Sequence, residues 1–167
     1  MSIALYFARD YDRSIEMAER MLKIQPNNGW LYLSLFDNYW AKGRFQESIQ
    51  EVEKAVSSFG FVENAARIDR ALVSKGPQAA MKQYALECET VAAAKQAYMP
   101  VNTAAAYAFL GDKGRAMYWL EQAYEHHEQH WVTTDIPLEV ISADPMFESL
   151  RSDPRFKDLL RRIDVPR

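Results

Sequence analysis

The residues best equipped for chemistry in this sequence are its three histidines, His126, His127 and His130. His126 and His130 stand four apart, the spacing that lets two imidazoles on one helix face hold a divalent metal. His127-Glu128-Gln129-His130 has one residue too few between its histidines for the metalloprotease pattern. The sequence names no third ligand, whereas catalytic zinc takes three protein ligands. Imidazoles near a helix C-terminus also interact favourably with its dipole. The structural reading is therefore preferred, and metal binding through His126 and His130 ranks behind the readings developed below.

The single cysteine, Cys88, would need a neighbouring base to act as a nucleophile, and every histidine lies in another segment. At a periodic apolar position it reads as a compact buried hydrophobe, equivalent to Ala55. Gly111-Asp112-Lys113-Gly114 lacks the spaced glycines and final Gly-Lys-Ser/Thr of a phosphate-cradling loop and is explained by a turn and a cap. Glu51 and Glu53 diverge on a helix and read as solvated face. We expect no enzyme activity and no cofactor.

Chain-wide properties narrow the class. The 167 residues are 49% hydrophobic and 26% charged, ordinary for one folded domain. No apolar run reaches the length that crosses a bilayer, and the run Ile3 to Ala8 is too short for a secretory signal. One cysteine excludes an internal disulfide framework and fits a reducing, cytoplasmic location. A net charge of −3 removes the global attraction on which a non-specific nucleic-acid binder relies. Residues 151–167 carry six Arg/Lys against three Asp. Without interleaved aromatics that excess reads as a solvated outer helix face.

The elements that must position these residues repeat. Gly43 and Gly111 stand 68 residues apart, two periods of 34, and the segments around them share one pattern. Tyr32, Leu35, Tyr39, Gly43, Phe45, Ser48, Val52 and Ala55 align with Pro100, Thr103, Tyr107, Gly111, Lys113, Ala116, Leu120 and Ala123. The unit predicted is helix, tight turn, helix, with glycine supplying a positive φ. A first repeat aligns Tyr11, Ser14, Ile15 and Leu22, its turn glycine replaced by Arg9. A third, degenerate one surrounds Gly76, with Leu72, Met81, Ala85 and Cys88 at the apolar positions and a second helix running on through Ala92 to Ala97. Pro26 with Asn27 and Asn28 reads as a loop in which asparagine can cap the next helix, Asp112 can cap the second helix of the fourth unit, and Pro100 opens that unit. Beyond His130 come short pieces opened by Asp135 with Pro137, Asp144-Pro145 and Asp153-Pro154. In the last, Phe156, Leu159, Leu160 and Ile163 form one stripe that should cover the open end of the array.

On these residues the sequence resembles the tetratricopeptide repeat family over residues 1–128. The resemblance implies an all-α fold, an α-solenoid of stacked helix-turn-helix units with a C-terminal helical cap at 129–167, the whole one continuous structural domain. Phe36 stands where the family has Gly or Ala, which predicts locally splayed helices. The segments GDKGRAMYWLEQAYEHHEQHW and DPMFESLRSDPRFKDLLRRI are similar to the C-terminal end of bacterial multidomain tetratricopeptide proteins. There such an array follows an effector such as a winged helix, a nucleotide cyclase or a kinase, none of which is in this chain.

The same resemblance implies a concave groove lined by the first helix of each pair. By register it holds Trp30, Leu33, Asp37 and Trp40, then Arg67 and Arg70, then Tyr98 and Asn102. Aromatics and arginine are enriched in binding hot spots, so the expected function is non-enzymatic capture of a peptide or helix of a protein partner. The alternative is that Trp30 and Trp40 pack against neighbouring helices. A clamp for a terminal carboxylate is not expected, because Ser34 and Glu63 occupy its places and only Arg67 fits. The short helix before Arg9 suggests a second interaction class. Ile3, Leu5, Tyr6 and Phe7 would form an uncovered apolar end that continues into upstream sequence or docks on a partner, a homodimer being one outcome. Direct nucleic-acid and membrane partners are not expected.

Overall fold

The computed structural model describes residues 2–126 and 138–163, without the side chains of Ser2, Ile3 and Glu139. Among them every regular element is helical, and consecutive helices pack on their neighbours. The chain forms two compact units, Met1–Gln83 and Tyr84–Arg167, the division falling inside one helix.

The first unit holds α1 (Ser2–Phe7), α2 (Tyr11–Ile24), α3 (Gly29–Ala41), α4 (Phe45–Ser58), α5 (Val62–Lys75) and the start of α6 (Pro77–Ala93). Its core begins where Ile15 and Ala18 of α2 meet Leu35 and Tyr39 of α3, with Leu22 packed alongside. Ile49, Val52, Ala55 and Val56 give α4 one buried face at helical spacing. The second unit holds the rest of α6, then α7 (Pro100–Phe109), α8 (Lys113–His126), 3-10 helices at Leu138–Val140 and Pro145–Leu150, and α9 (Pro154–Ile163).

Three of the turns share one backbone conformation. Arg9, Gly43 and Gly111 have φ of 60°, 72° and 77°, so the arginine adopts the left-handed conformation that glycine supplies in the other copies. Each turn closes in the same way. Gly43 N–H donates to the Trp40 carbonyl and Arg44 N–H to the Tyr39 carbonyl, both at 2.8 Å, and the pairs after Arg9 and Gly111 repeat this pattern. Gly60 (φ 93°) and Lys95 (φ 55°) close α4 and α6 likewise. Helix α6 therefore ends at Ala93, short of the predicted Ala97, because Lys95 turns left-handed and its N–H bonds the Ala92 carbonyl.

The predicted splay at Phe36 is absent. Ser48 Oγ donates to the Phe36 carbonyl at 2.9 Å, a direct bond that holds α3 and α4 together at that level. The Phe36 ring is buried beside Trp40, at a centroid separation of 5.7 Å, while the small Ser48 occupies the contact.

In the second unit every residue of α7 from Pro100 to Ala108 is buried, consistent with its alanine-rich, all-round apolar sequence. The carboxy-terminal segment contributes to that cover. The 3-10 helix Pro145–Leu150 packs on α7, and Ser149 Oγ donates to the Ala108 carbonyl at 3.3 Å. Asp144 and Asp153 cap as predicted, accepting from Met146 N–H and Arg155 N–H. Of the predicted stripe on α9, Phe156 and Leu159 are buried, and Phe156 stacks on Phe147. An Arg162–Glu121 ion pair links α9 to α8. The pieces at Asp135 and Pro137 lie outside the described residues.

Candidate functional site

Of the eight expected groove residues, Trp30 and Arg70 are exposed, Asp37 and Arg67 are half-buried, and Leu33, Trp40, Tyr98 and Asn102 are buried. For Trp40 the alternative of packing against neighbouring helices is the one observed: its ring sits between Phe36 and Phe45, at 5.7 and 5.5 Å. Tyr98 packs against Trp119 and His126, at 6.2 and 6.3 Å. Asp37, Trp40, Arg67 and Arg70 belong to the first unit, Tyr98 and Asn102 to the second.

Trp30 behaves differently. It follows the cap Asn28, whose Oδ1 accepts from Trp30 N–H at 3.1 Å, and it keeps 51% of its surface exposed. Its ring meets Phe59 at 5.5 Å and 72°, so two nearly perpendicular aromatic planes face a cleft of about 510 Å³. Gln25, Pro26, Asn27, Asn28, Gly29 and Ser58 complete the lining. Gly29 is required for this closeness, since a Cβ there would lie 2.7 Å from Phe59 Cε1 and Cζ. The loop is braced from behind: Tyr32 donates its hydroxyl to the Pro26 carbonyl at 2.7 Å, and Asn28 Nδ2 donates to Gln25 Oε1 at 2.7 Å.

Sequence reasoning identified Trp30 and the Pro26-Asn27-Asn28 loop with an asparagine cap, but missed Gln25, Ser58 and Phe59. The signal for Phe59 was Gly60, the left-handed turn that follows it and ends α4.

Sequence reasoning also missed the setting of the register tyrosines. Tyr39 donates to Glu19 Oε1 at 3.2 Å, and the Arg44 guanidinium lies over its ring at 4.4 Å. In the second unit Tyr107 donates to Glu89 Oε1 at 2.8 Å and accepts from Arg115 Nη1 at 2.8 Å, with that guanidinium 5.2 Å from the ring centre. Trp119 Nε1 also donates to Glu89 Oε1, at 3.2 Å. Burial, reinforced by the neighbouring glutamate, raises both phenol pKa values. Both phenols therefore stay protonated donors at neutral pH, and the arrangement braces the helices instead of supplying an activated base.

At the amino end Tyr6 is buried, in ring contact with Phe7 and Tyr11, while Leu5 and Phe7 are half-buried. The side chain of Ile3 lies outside the described part. Cys88 is buried, as is its counterpart Ala55. His126 is half-buried against Tyr98, and His127 and His130 lie outside the described residues. Among the described residues no group of three or more His, Cys, Asp or Glu gathers to hold a metal ion, and no helix is long and apolar enough to cross a membrane. No protein-family model, curated protein or solved structure matches the chain.

Proposed function

We propose that this chain is a non-enzymatic protein-interaction module that captures a peptide segment of a partner, with Trp30 as its principal contact. The observation that carries this reading is a tryptophan half open to solvent at the edge of a cleft, with a second aromatic ring as the adjoining wall. An exposed tryptophan offers a large contact area at low entropic cost, which is why the residue is frequent among binding hot spots. Arg70, exposed on α5, is a second contact of the residue type enriched in interfaces. The resemblance to tetratricopeptide repeats supports the reading, since stacked helix pairs present binding surface rather than an enclosed chamber. On the same resemblance the module is a TPR-like solenoid within a larger bacterial regulatory protein, and its single cysteine fits a cytoplasmic setting.

The test is capture of partners from native lysate by wild type, Trp30→Ala and Arg70→Glu, with thermal unfolding followed in parallel. The expected result is a partner held by wild type and lost with Trp30→Ala at unchanged unfolding temperature. Identical captures by all three proteins would overturn the reading.

Self-association through α1 is a second reading, favoured by the incomplete burial of Leu5 and Phe7. Light scattering over a range of concentrations tests it, and a mass that stays monomeric throughout removes it.

A further inference from the structure

We infer that Asn28 is a site of spontaneous modification, losing its side-chain nitrogen as ammonia through a cyclic imide formed with Gly29. The inference goes beyond peptide capture and stands whether or not Trp30 holds a partner. Of the asparagines at 27, 28, 38, 64 and 102, Asn28 alone precedes a glycine. A following residue without a Cβ leaves its main-chain nitrogen unhindered and free to turn toward the asparagine side chain.

The fold has a use for both members of this pair. A side chain at position 29 would displace the Phe59 ring, which lies 2.7 Å from a Cβ built there. Asn28 supplies the cap of α3, its Oδ1 accepting from Trp30 N–H at 3.1 Å. The nucleophile is uncommitted: in the first turn of α3 the Gly29 N–H donates to no group among the described residues. Two features hold the reaction back. Asn28 Nδ2 is tied to Gln25 Oε1 at 2.7 Å, and ring closure requires Asn28 to rotate out of its extended conformation, with ψ at 100°. Conversion therefore proceeds through opening of the first turn of α3, and helix ends open more readily than helix centres.

Loss of the Gly29 amide proton lets its nitrogen bond to Asn28 Cγ. The Cγ–Nδ2 bond breaks, and ammonia leaves with one added proton, closing the imide ring. Water then opens the ring at either carbonyl. Opening between Cγ and the nitrogen gives aspartate, which still caps α3 and sets its new charge at a helix N-terminus, where negative charge is favoured. Opening at the main-chain carbonyl gives isoaspartate, which reroutes the chain through the former side chain and removes the cap. Either product brings a negative charge to a cleft with no charged side chain in its lining, so the surface assigned above to partner capture changes as the molecule ages.

The test is incubation of purified wild type in mildly alkaline buffer at physiological temperature, followed by peptide mapping with mass spectrometry and enzymatic methyl labelling of isoaspartate. Asn28 should convert about fivefold or more faster than Asn27, which shares its loop but precedes another asparagine. Gln25→Ala, which frees Asn28 Nδ2, should speed the conversion about threefold or more. Asn28→Ser, which keeps a capping oxygen, should yield no isoaspartate at position 28. Conversion at Asn28 no faster than at Asn27 would overturn the inference, and an equal rate in Gln25→Ala would overturn the restraint assigned to that bond. None of these readouts requires a partner, so their failure leaves the capture reading standing.

Discussion

The hairpin α3–α4 in the first unit and the hairpin α7–α8 in the second are two copies of one pattern, yet they use their first helices differently. Both turn through a left-handed glycine, and both hold a register tyrosine against a glutamate from an earlier helix and an arginine of the same hairpin. Their outer surfaces diverge. Every residue of α7 from Pro100 to Ala108 is buried, with the 3-10 helix Pro145–Leu150 among its cover, whereas α3 starts with a half-exposed tryptophan at a cleft. The two hairpins thus share a turn and a tyrosine setting, and the sequence around each decides which faces stay open. A binding role therefore fits α3 better than α7.

The most severe way to break the comparison is to exchange the interior residues that differ at matching positions. Phe36 and Ala104 stand 68 residues apart and are both buried. Phe36→Ala should cost about 3–5 kcal/mol, because it removes a large ring buried beside Trp40. Ala104→Phe should cost about 1–3 kcal/mol or more by overpacking the closed surroundings of α7. Urea unfolding followed by circular dichroism measures both. A loss below about 1 kcal/mol for Phe36→Ala would mean that the ring fills no space the repeat depends on.

The turns give the next largest effect. Gly43→Val should cost about 1–2 kcal/mol, and conformation alone is responsible, since nothing lies within 4 Å of a Cβ built there. Arg9→Gly should stabilise by up to about 1 kcal/mol, relieving the same strain at the cost of a more flexible unfolded chain. Equal and opposite signs in thermal unfolding would sharpen the equivalence of the two turns. A destabilised Arg9→Gly would show that the arginine side chain holds its turn.

What was legible in the sequence follows the same division. Glycine spacing, apolar periodicity and the Asn28, Asp112, Asp144 and Asp153 caps are local signals, and the helices obey them. Arg9 was legible because register overrode its residue type. The expected groove was less so. Register shows which residues share a helix face, not which faces a later segment covers, and Asn102, on a helix that reads as equivalent to α3, is buried, as is Tyr98 just before it. The cleft escaped because its walls come from the α2–α3 loop and the end of α4. Phe59 reaches Trp30 only because Gly29 lacks a side chain, a distant coincidence that periodicity does not encode. Phe36 misled because its bulk was assigned to the inter-helix contact that Ser48 makes.

The tyrosine settings differ in strength and predict a smaller contrast. Tyr107 makes two hydrogen bonds through its hydroxyl, each at 2.8 Å, whereas Tyr39 makes one at 3.2 Å. Tyr107→Phe should therefore cost about 1–2 kcal/mol and leave Glu89 bonded to Trp119 and ion-paired with Arg115 at 4.0 Å, while Tyr39→Phe should cost about 0.5–1 kcal/mol. Equal losses in parallel unfolding measurements would show that the second bond adds nothing.

The smallest effect distinguishes a neutral cap in the first unit from a charged one in the second. Asn28 caps α3 through an amide oxygen that does not titrate, whereas Asp153 caps α9 through a carboxylate that accepts from Arg155 N–H at 2.9 Å. The Arg155 guanidinium grips both carboxylate oxygens, at 3.1 and 2.7 Å. That side-chain bond, aided by the backbone one, lowers the Asp153 pKa from 3.8 to about 2. A carboxyl whose pKa is lower folded than unfolded stabilises the fold fully above its unfolded value and loses that contribution as pH falls through its folded value. The stability difference between wild type and Asp153→Asn should accordingly be flat above about pH 5, shrink below pH 4 and vanish near pH 2. Asn28→Asp supplies the converse, giving the first unit an acid-sensitive cap in the same range. Thermal unfolding of the three proteins from neutral pH down to pH 2 measures both. A wild-type advantage over Asp153→Asn that persists unchanged at pH 2 would mean that the Arg155 grip, and with it the charged cap, contributes nothing to holding α9.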